Sequence, residues 1–263
     1  MALKLPKKFE PLVPWFAKHR RDAWKPVVKK GDGKPTASKF AGTPYLAEAE
    51  DWPTCGNCGG PMRLFVQLDL DALPPEMDTR QDTGLLQAFF CIKDDCVHGE
   101  GEGDPFNDCQ LVRMIKPKGP PAAVKPPVFK GDLHRGPFPA RQIVGWTHVD
   151  DYPSLAEMEE LGLEESDDIV RCKSPKFSMR ATIDEYCKLG HNVDGEKLGG
   201  WPGWVNVSTD YPDCPKCNKP MTTVLFQIGH DDNIPFMFGD GGQGNILQCP
   251  KHKHLLAFTW TCD

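Results

Sequence analysis

Hydrophobic residues in this chain gather in short runs bounded by proline- and glycine-containing turns. Residues 62–68 (MRLFVQL), 85–90 (LLQAFF), 222–228 (TTVLFQI) and 255–260 (LLAFTW) are of this kind, and each predicts a β-strand. Helical periodicity is sparse. Residues 154–161 (SLAEMEEL) predict a short amphipathic helix that Ser154 caps and Gly162 stops. A second short helix is expected within residues 14–23, carrying Trp15, Phe16, His19 and Arg20. The pattern predicts an α+β chain, predominantly antiparallel β with few short helices.

The pattern also occurs twice. Lys39-Phe40-Ala41-Gly42-Thr43-Pro44, Trp52-Pro53-Thr54-Cys55-Gly56-Asn57-Cys58, Pro61-Met62 and Gln67 come first. Lys197-Leu198-Gly199-Gly200-Trp201-Pro202, Tyr211-Pro212-Asp213-Cys214-Pro215-Lys216-Cys217, Pro220-Met221 and Gln227 follow at a nearly constant offset. Leu86-Gln87 is matched in this alignment to Leu247-Gln248. Such matching predicts a tandem duplication of a zinc-knuckle-bearing β repeat. The organisation expected is a basic N-terminal arm or helix (1–35), repeat 1 with a zinc site (36–115), a connector and insert (116–196), and repeat 2 with a zinc site (197–263). Residues 116–142 hold seven prolines and predict an extended connector. Residues 149–170 hold nine acidic side chains and no basic one, either a solvated face or a surface for a basic partner.

Composition narrows the function classes. The 263 residues carry 31 Lys plus Arg and 37 Asp plus Glu, a net charge of −6, which disfavours phosphate-backbone binding. Ten of the basic residues fall within residues 1–35, and a docked terminal helix is the expected use of that arm rather than a nucleic-acid contact. No apolar run is long enough to span a membrane and no signal peptide is visible, so a cytoplasmic protein is expected.

Eleven cysteines then carry the chemistry. Cys55-x2-Cys58 followed by Cys91-x4-Cys96 offers four thiolates, enough to close a tetrahedral Zn²⁺ shell. Cys214-x2-Cys217 followed by Cys249 offers three more, with His252 or His254 as the fourth donor. Spacing symmetry with Cys91-x4-Cys96 favours His254. A redox CxxC would need a βαβ context that the flanking proline turns do not provide. His98 is a spare donor, and Cys109, Cys172, Cys187 and Cys262 are expected to be small apolar fillers. No nucleophile elbow, zinc-protease helix or phosphate loop is present, and the glycines of residues 239–244 predict a hairpin loop. No catalytic residue is expected.

The segments 38–46, 52–62, 84–91, 143–146, 151–153, 197–202 and 211–260, with the run from Asp232 to Asp240, resemble the YwqG-like family of bacterial proteins of unknown function, in its cysteine-rich branch. The family usually has glycine where this chain has Ala41. The Lys-x-Gly-x-Pro, Cys-x-x-Cys and Gln layout is also similar to the programmed cell death protein 2 family, whose members are associated with chaperoning a ribosomal protein. The recurring Cys-Pro-x-His knuckle of the resemblance favours His252 over His254. The resemblance implies a duplicated α+β fold and a role in binding protein; with two closed four-donor shells and no catalytic motif, a non-enzymatic binding module with two structural zinc ions is expected. Its partner is expected to be a protein rather than nucleic acid or membrane. Genes of this type are often found near polymorphic toxin systems, which implies an immunity protein. A chaperone for a basic client, or an enzyme using Cys187 near His191, are the alternatives.

Overall fold

The computed structural model describes residues 3–77, 83–97, 104–134, 136–174, 176–205, 208–229 and 233–262; His98 and Asp232 lie outside them. In chain order the elements are α1 (Val13–His19), β1 (Arg21–Lys30), β2 (Lys39–Phe40), β3 (Arg63–Asp69), β4 (Leu85–Phe90), α2 (Asp94–Val97), β5 (Gln110–Ile115) and β6 (Arg141–Asp151). They continue with α3 (Leu155–Glu160), β7 (Leu163–Ser166), β8 (Ile169–Cys172), β9 (Phe177–Arg180), α4 (Ile183–Cys187), β10 (Lys197–Gly199), β11 (Thr223–Ile228), β12 (Gln243–Gln248) and β13 (Leu256–Thr261). Ten strands form one sheet in the order β13-β12-β11-β10-β1-β6-β2-β3-β4-β5, and β7-β8-β9 form a smaller one. All the strand ladders are antiparallel. The edge strands β5 and β13 pack together, so the large sheet curls nearly into a barrel. The four strands expected from the apolar runs all form, each within a residue of its expected position.

The strand order is palindromic about β1 and β6, which pair along their whole length. β1 precedes β2 in sequence yet pairs with β10, and β6 precedes β10 yet pairs with β2. Each half therefore hands its first strand to the other. Pro26 sits inside this central pair, opposite Trp146. It is tolerated because β10 reaches only Ala23 and Trp24, so at Pro26 the strand has a partner on one side alone. Residues 1–35 and 116–196 thus supply the middle of the sheet.

Matched polar anchors fasten the two halves. Lys39 Nζ donates to Asp32 Oδ1 at 2.6 Å and to the Thr43 carbonyl at 3.0 Å, while Asp32 accepts from the Thr43 N–H. Lys197 Nζ donates to Asp151 Oδ2 and the Val193 carbonyl, both at 2.8 Å, while Asp151 accepts from the Trp201 and Val193 N–H groups. Gln67 Oε1 accepts from the Tyr45 N–H, and Gln227 Oε1 from the Gly203 N–H, each at 2.8 Å. The ladders correct one matched pair. Gln67 lies opposite Gln87 and Gln227 opposite Asn245, so the counterpart of Gln87 is Asn245 and not Gln248. Both ladders carry a register shift at the same place, between Leu64 and Val66 and between Val224 and Phe226.

An aromatic core joins the halves across the sheet's concave side. Phe65 packs on Phe236 and Phe238, Phe90 on Phe258, and Phe40 on Phe226, with ring centroids 5.5–5.8 Å apart. A separate core forms where the N-terminal segment docks on the insert. Phe9, Leu12, Trp15 and Phe16 are buried against Tyr152, Met158, Leu163, Val170 and Tyr186. Helix α3 has the expected ends: Ser154 Oγ accepts from the Glu157 N–H, and Gly162 turns the chain at φ +84°. The helix expected over 14–23 stops at His19, and Arg21–Ala23 belong to β1.

Ala41 occupies a left-handed backbone position at φ +53°, as its counterpart Gly199 does at +64°. A β-carbon there costs about 1–2 kcal/mol. Ala41→Gly should therefore raise stability, or leave it unchanged once the added unfolded-state freedom of glycine is counted, and denaturant unfolding reads the sign. The anchors differ in exposure: Asp151 and Lys197 are fully buried, whereas Asp32 is 37% exposed. Burial pulls the Lys197 pKa down against the opposing pull of Asp151. Asp151→Asn should cost about 3–5 kcal/mol by stranding a buried ammonium, and Asp32→Asn distinctly less, measured in the same unfolding series.

Candidate metal centres

The two CxxC turns are built alike. Each is a tight loop closed by an isolated bridge, Thr54 to Pro61 in one and Asp213 to Pro220 in the other. Cys55 N–H donates to the Gly60 carbonyl and Cys214 N–H to the Lys219 carbonyl. The residue after each second cysteine is left-handed, Gly59 at φ +67° and Asn218 at φ +49°, residue types that accept this conformation most readily. The remaining donors come from the ends of β4 and β12. Cys91 follows β4 and is held by its N–H to the Cys109 carbonyl, and Cys96 lies in α2. Cys249 follows β12, and its sulfur accepts the His252 N–H at 3.2 Å.

These elements bring Cys55, Cys58, Cys91 and Cys96 into one group, and Cys214, Cys217, Cys249 and His252 into another. In the first, Cys55 and Cys96 sulfurs are 3.6 Å apart, and Cys58 and Cys91 3.7 Å. In the second, Cys217 and Cys249 sulfurs are 3.7 Å apart, and His252 Nδ1 lies 3.6 Å from Cys214 and 3.8 Å from Cys249. A disulfide would need about 2.05 Å. Metal–sulfur bonds of about 2.3 Å arranged tetrahedrally place sulfurs about 3.8 Å apart, which these spacings match. His254 is outside the group, its ring centroid 6.4 Å from that of His252.

The electrostatics favour a cation at each centre. Burial, with Cys55 close by, pushes the Cys96 thiol up to about 12 and the Cys91 thiol far above its ordinary value. Charged thiolates in such a site need a positive partner. Around Cys214 burial also pushes upward, but the Lys216 amide and the His252 ring outweigh it and hold the thiol at about 6. Both donor sets can hold a metal ion. A third group, Asp22, His148 and Asp150, is a poorer fit. It is largely exposed, and the Arg20 guanidinium already bridges the two carboxylates at 2.8 and 2.6 Å.

The other cysteines divide. Cys109 and Cys172 are buried fillers, but Cys187 is exposed and Cys262 half-buried, so the filler expectation fails for these two. No hydrogen bond joins Cys187 to His191 among the described residues; His191 packs instead against Phe16 and Tyr152. The glycines of 239–244 form a tight turn, with Gly242 N–H donating to the Phe238 carbonyl. The acidic run is less of a surface than its sequence suggests. Asp151 is the buried partner of Lys197, and Glu157 is buried, accepting from Trp204 Nε1 at 2.8 Å and Tyr211 Oη at 2.5 Å. Trp204 and Tyr211, far away in sequence, were the missing signal for Glu157. Glu159, Glu160, Asp167 and Asp168 remain exposed. No helix among the described residues is long and apolar enough to cross a membrane.

A family profile described as "Domain of unknown function (DUF1963)" matches residues 38–258, a span that contains both metal centres. No curated protein matches the chain. With His252 rather than His254 in the second group, His252→Ala should cost about one of two equivalents of bound metal, and His254→Ala none. Metal analysis of each purified variant makes the comparison.

Proposed function

The chain belongs to the YwqG-like family, a domain of unknown function, and from its geometry we propose that it is a zinc-stabilised protein-binding module without catalytic activity. The observation that carries this is the pair of complete four-donor groups. Four protein donors saturate a tetrahedral ion and leave no position for a catalytic water or a substrate. Thiolate-rich sets of this kind suit zinc over harder divalent ions. Each ion pins a CxxC turn to the end of β4 or β12, so its binding energy goes into folding. Structural zinc sites of this type contribute about 10–16 kcal/mol of apparent binding energy at neutral pH.

The surface offered to a partner is the exposed part of the insert. Glu159 and Glu160 at the end of α3, with Glu165 of β7 and Asp167 and Asp168 in the turn after it, form an acidic patch, and Glu164 beside them is paired with Lys173. Partial burial first, and then Glu164, Glu165 and Glu160, raise the Glu159 pKa, which is the mark of mutual repulsion. A basic protein relieves that repulsion on binding and is steered toward the patch. The family resemblance favours a toxin as that protein, with this chain neutralising it as an immunity protein.

Reversing Glu159 and Glu160 to lysine should slow association with the basic partner about tenfold at low salt and flatten its salt dependence, while both metal centres stay filled. Stopped-flow or surface-binding kinetics across a salt series read this. Unchanged association rates would remove the acidic patch from the interface.

A further inference from the structure

The two halves differ most where their shortest strands end. β10 stops at Gly199, and Gly199 and Gly200, at φ +64° and +74°, turn the chain out of the sheet. β1 and β11 continue past that point, to Arg21 and Thr223, so a slot opens in the sheet between them. Its volume is about 460 Å³, and Arg21, Trp24, Glu76, Met77, Thr223 and Pro250 line it. That lies within the range of about 300–1,000 Å³ typical of ligand clefts.

The other half makes the same turn with Ala41 and Gly42, at φ +53° and +76°, beside Arg63 and Leu64 of β3. Here only about 140 Å³ is left, because the proline-rich connector lies in the slot with Pro126, Phe129, Pro137 and Phe138. Arg63 holds the connector there. Its guanidinium donates to Asp132 Oδ2 at 2.6 Å and to the Gly136 and His134 carbonyls, between the rings of Phe129 and Phe138 at 4.2 and 4.6 Å. Thr223 stands where Arg63 does. The connector therefore has no counterpart anchor in the second half. A guanidinium is nonetheless at hand, because Arg21 lies 3.2 Å above the Trp201 ring and donates to the Gly200 carbonyl at the slot's rim.

We propose that the open slot is a peptide-binding site, taking an extended proline- and phenylalanine-bearing segment of another protein as the equivalent slot takes residues 126–138 of the chain itself. Extended prolyl segments suit such a cleft because little conformational entropy is lost when they bind. Trp24 and Met77 offer apolar contact to its rings, and Arg21 offers donors to its carbonyls. The proposal rests on the protein-binding function and adds a contact made by residues other than those of the acidic patch.

A synthetic peptide of residues 126–138 (PPVFKGDLHRGPF), with a scrambled proline-free peptide of equal charge as control, is titrated into the full-length protein by calorimetry. The expected result is micromolar binding of the first and none of the second. Thr223→Trp, which fills the slot, should weaken that binding at least about tenfold without loss of bound metal. Glu76→Lys, an exposed change at the rim, should weaken binding of this basic peptide severalfold and serves if the tryptophan variant fails to fold. Peptide binding that both variants leave unchanged overturns the site, because the peptide then binds elsewhere. Absence of peptide binding overturns it too. If a protein partner still binds the same preparation, only the slot falls and the binding function stands.

Discussion

The pairing of β1 with β6 is the constraint on which the rest of the structure depends. Each strand belongs by sequence to one half and is hydrogen-bonded on both sides to strands of the other, so the sheet has no seam along which the halves part. The buried lysine anchors sit at the ends of these strands. Asp32 follows β1 and Asp151 ends β6, and each carboxylate reaches a lysine at the start of the next strand in its own half. The exchange is thereby tied at both ends by charge, inside a sheet whose concave side is filled by phenylalanines from both halves. An unpaired ammonium is most expensive at Lys197, where both partners are fully buried.

The candidate metal centres sit at the periphery of this arrangement. Each group joins a tight turn to the end of a strand near the edge of the sheet, where the backbone ladder alone would fray. The donors of each group come from segments that follow one another in sequence, so an ion held there would organise its own half. The lysine anchors and the exchanged strands then organise the whole. An ion held at each group would close its half locally, while pairing closes the whole.

How much of this the sequence discloses depends on the range of the interaction. The apolar runs of β3, β4, β11 and β13 and the caps of α3 are local, and local patterning exposes them. The candidate metal donors are legible because the paired CxxC turns are each followed by a further ligand cluster, and the turn geometry around Gly59 and Asn218 is written in residue type. β1 is not legible: Pro26 and three lysines along it argue against a central strand, and only its one-sided pairing beyond Trp24 explains why they are tolerated. Asn245 hides its equivalence to Gln87, because a chemically different residue fills the same register. Asp151 and Glu157 read as surface acids within an acidic run, since their partners Lys197, Trp204 and Tyr211 arrive from the far half of the chain.

The exchanged strands also fix an order of events during synthesis and folding. β1 emerges early but finds its outer partner β10 only after some 170 further residues, and its inner partner β6 after more than 100. Loops of that length close slowly and leave strand edges unsatisfied meanwhile. Until β6 arrives, a nascent chain exposes a lysine-rich β1 whose charges discourage pairing with other chains. The basic residues that compositional reasoning assigns to a terminal arm thus serve as a guard on the strand that must wait longest.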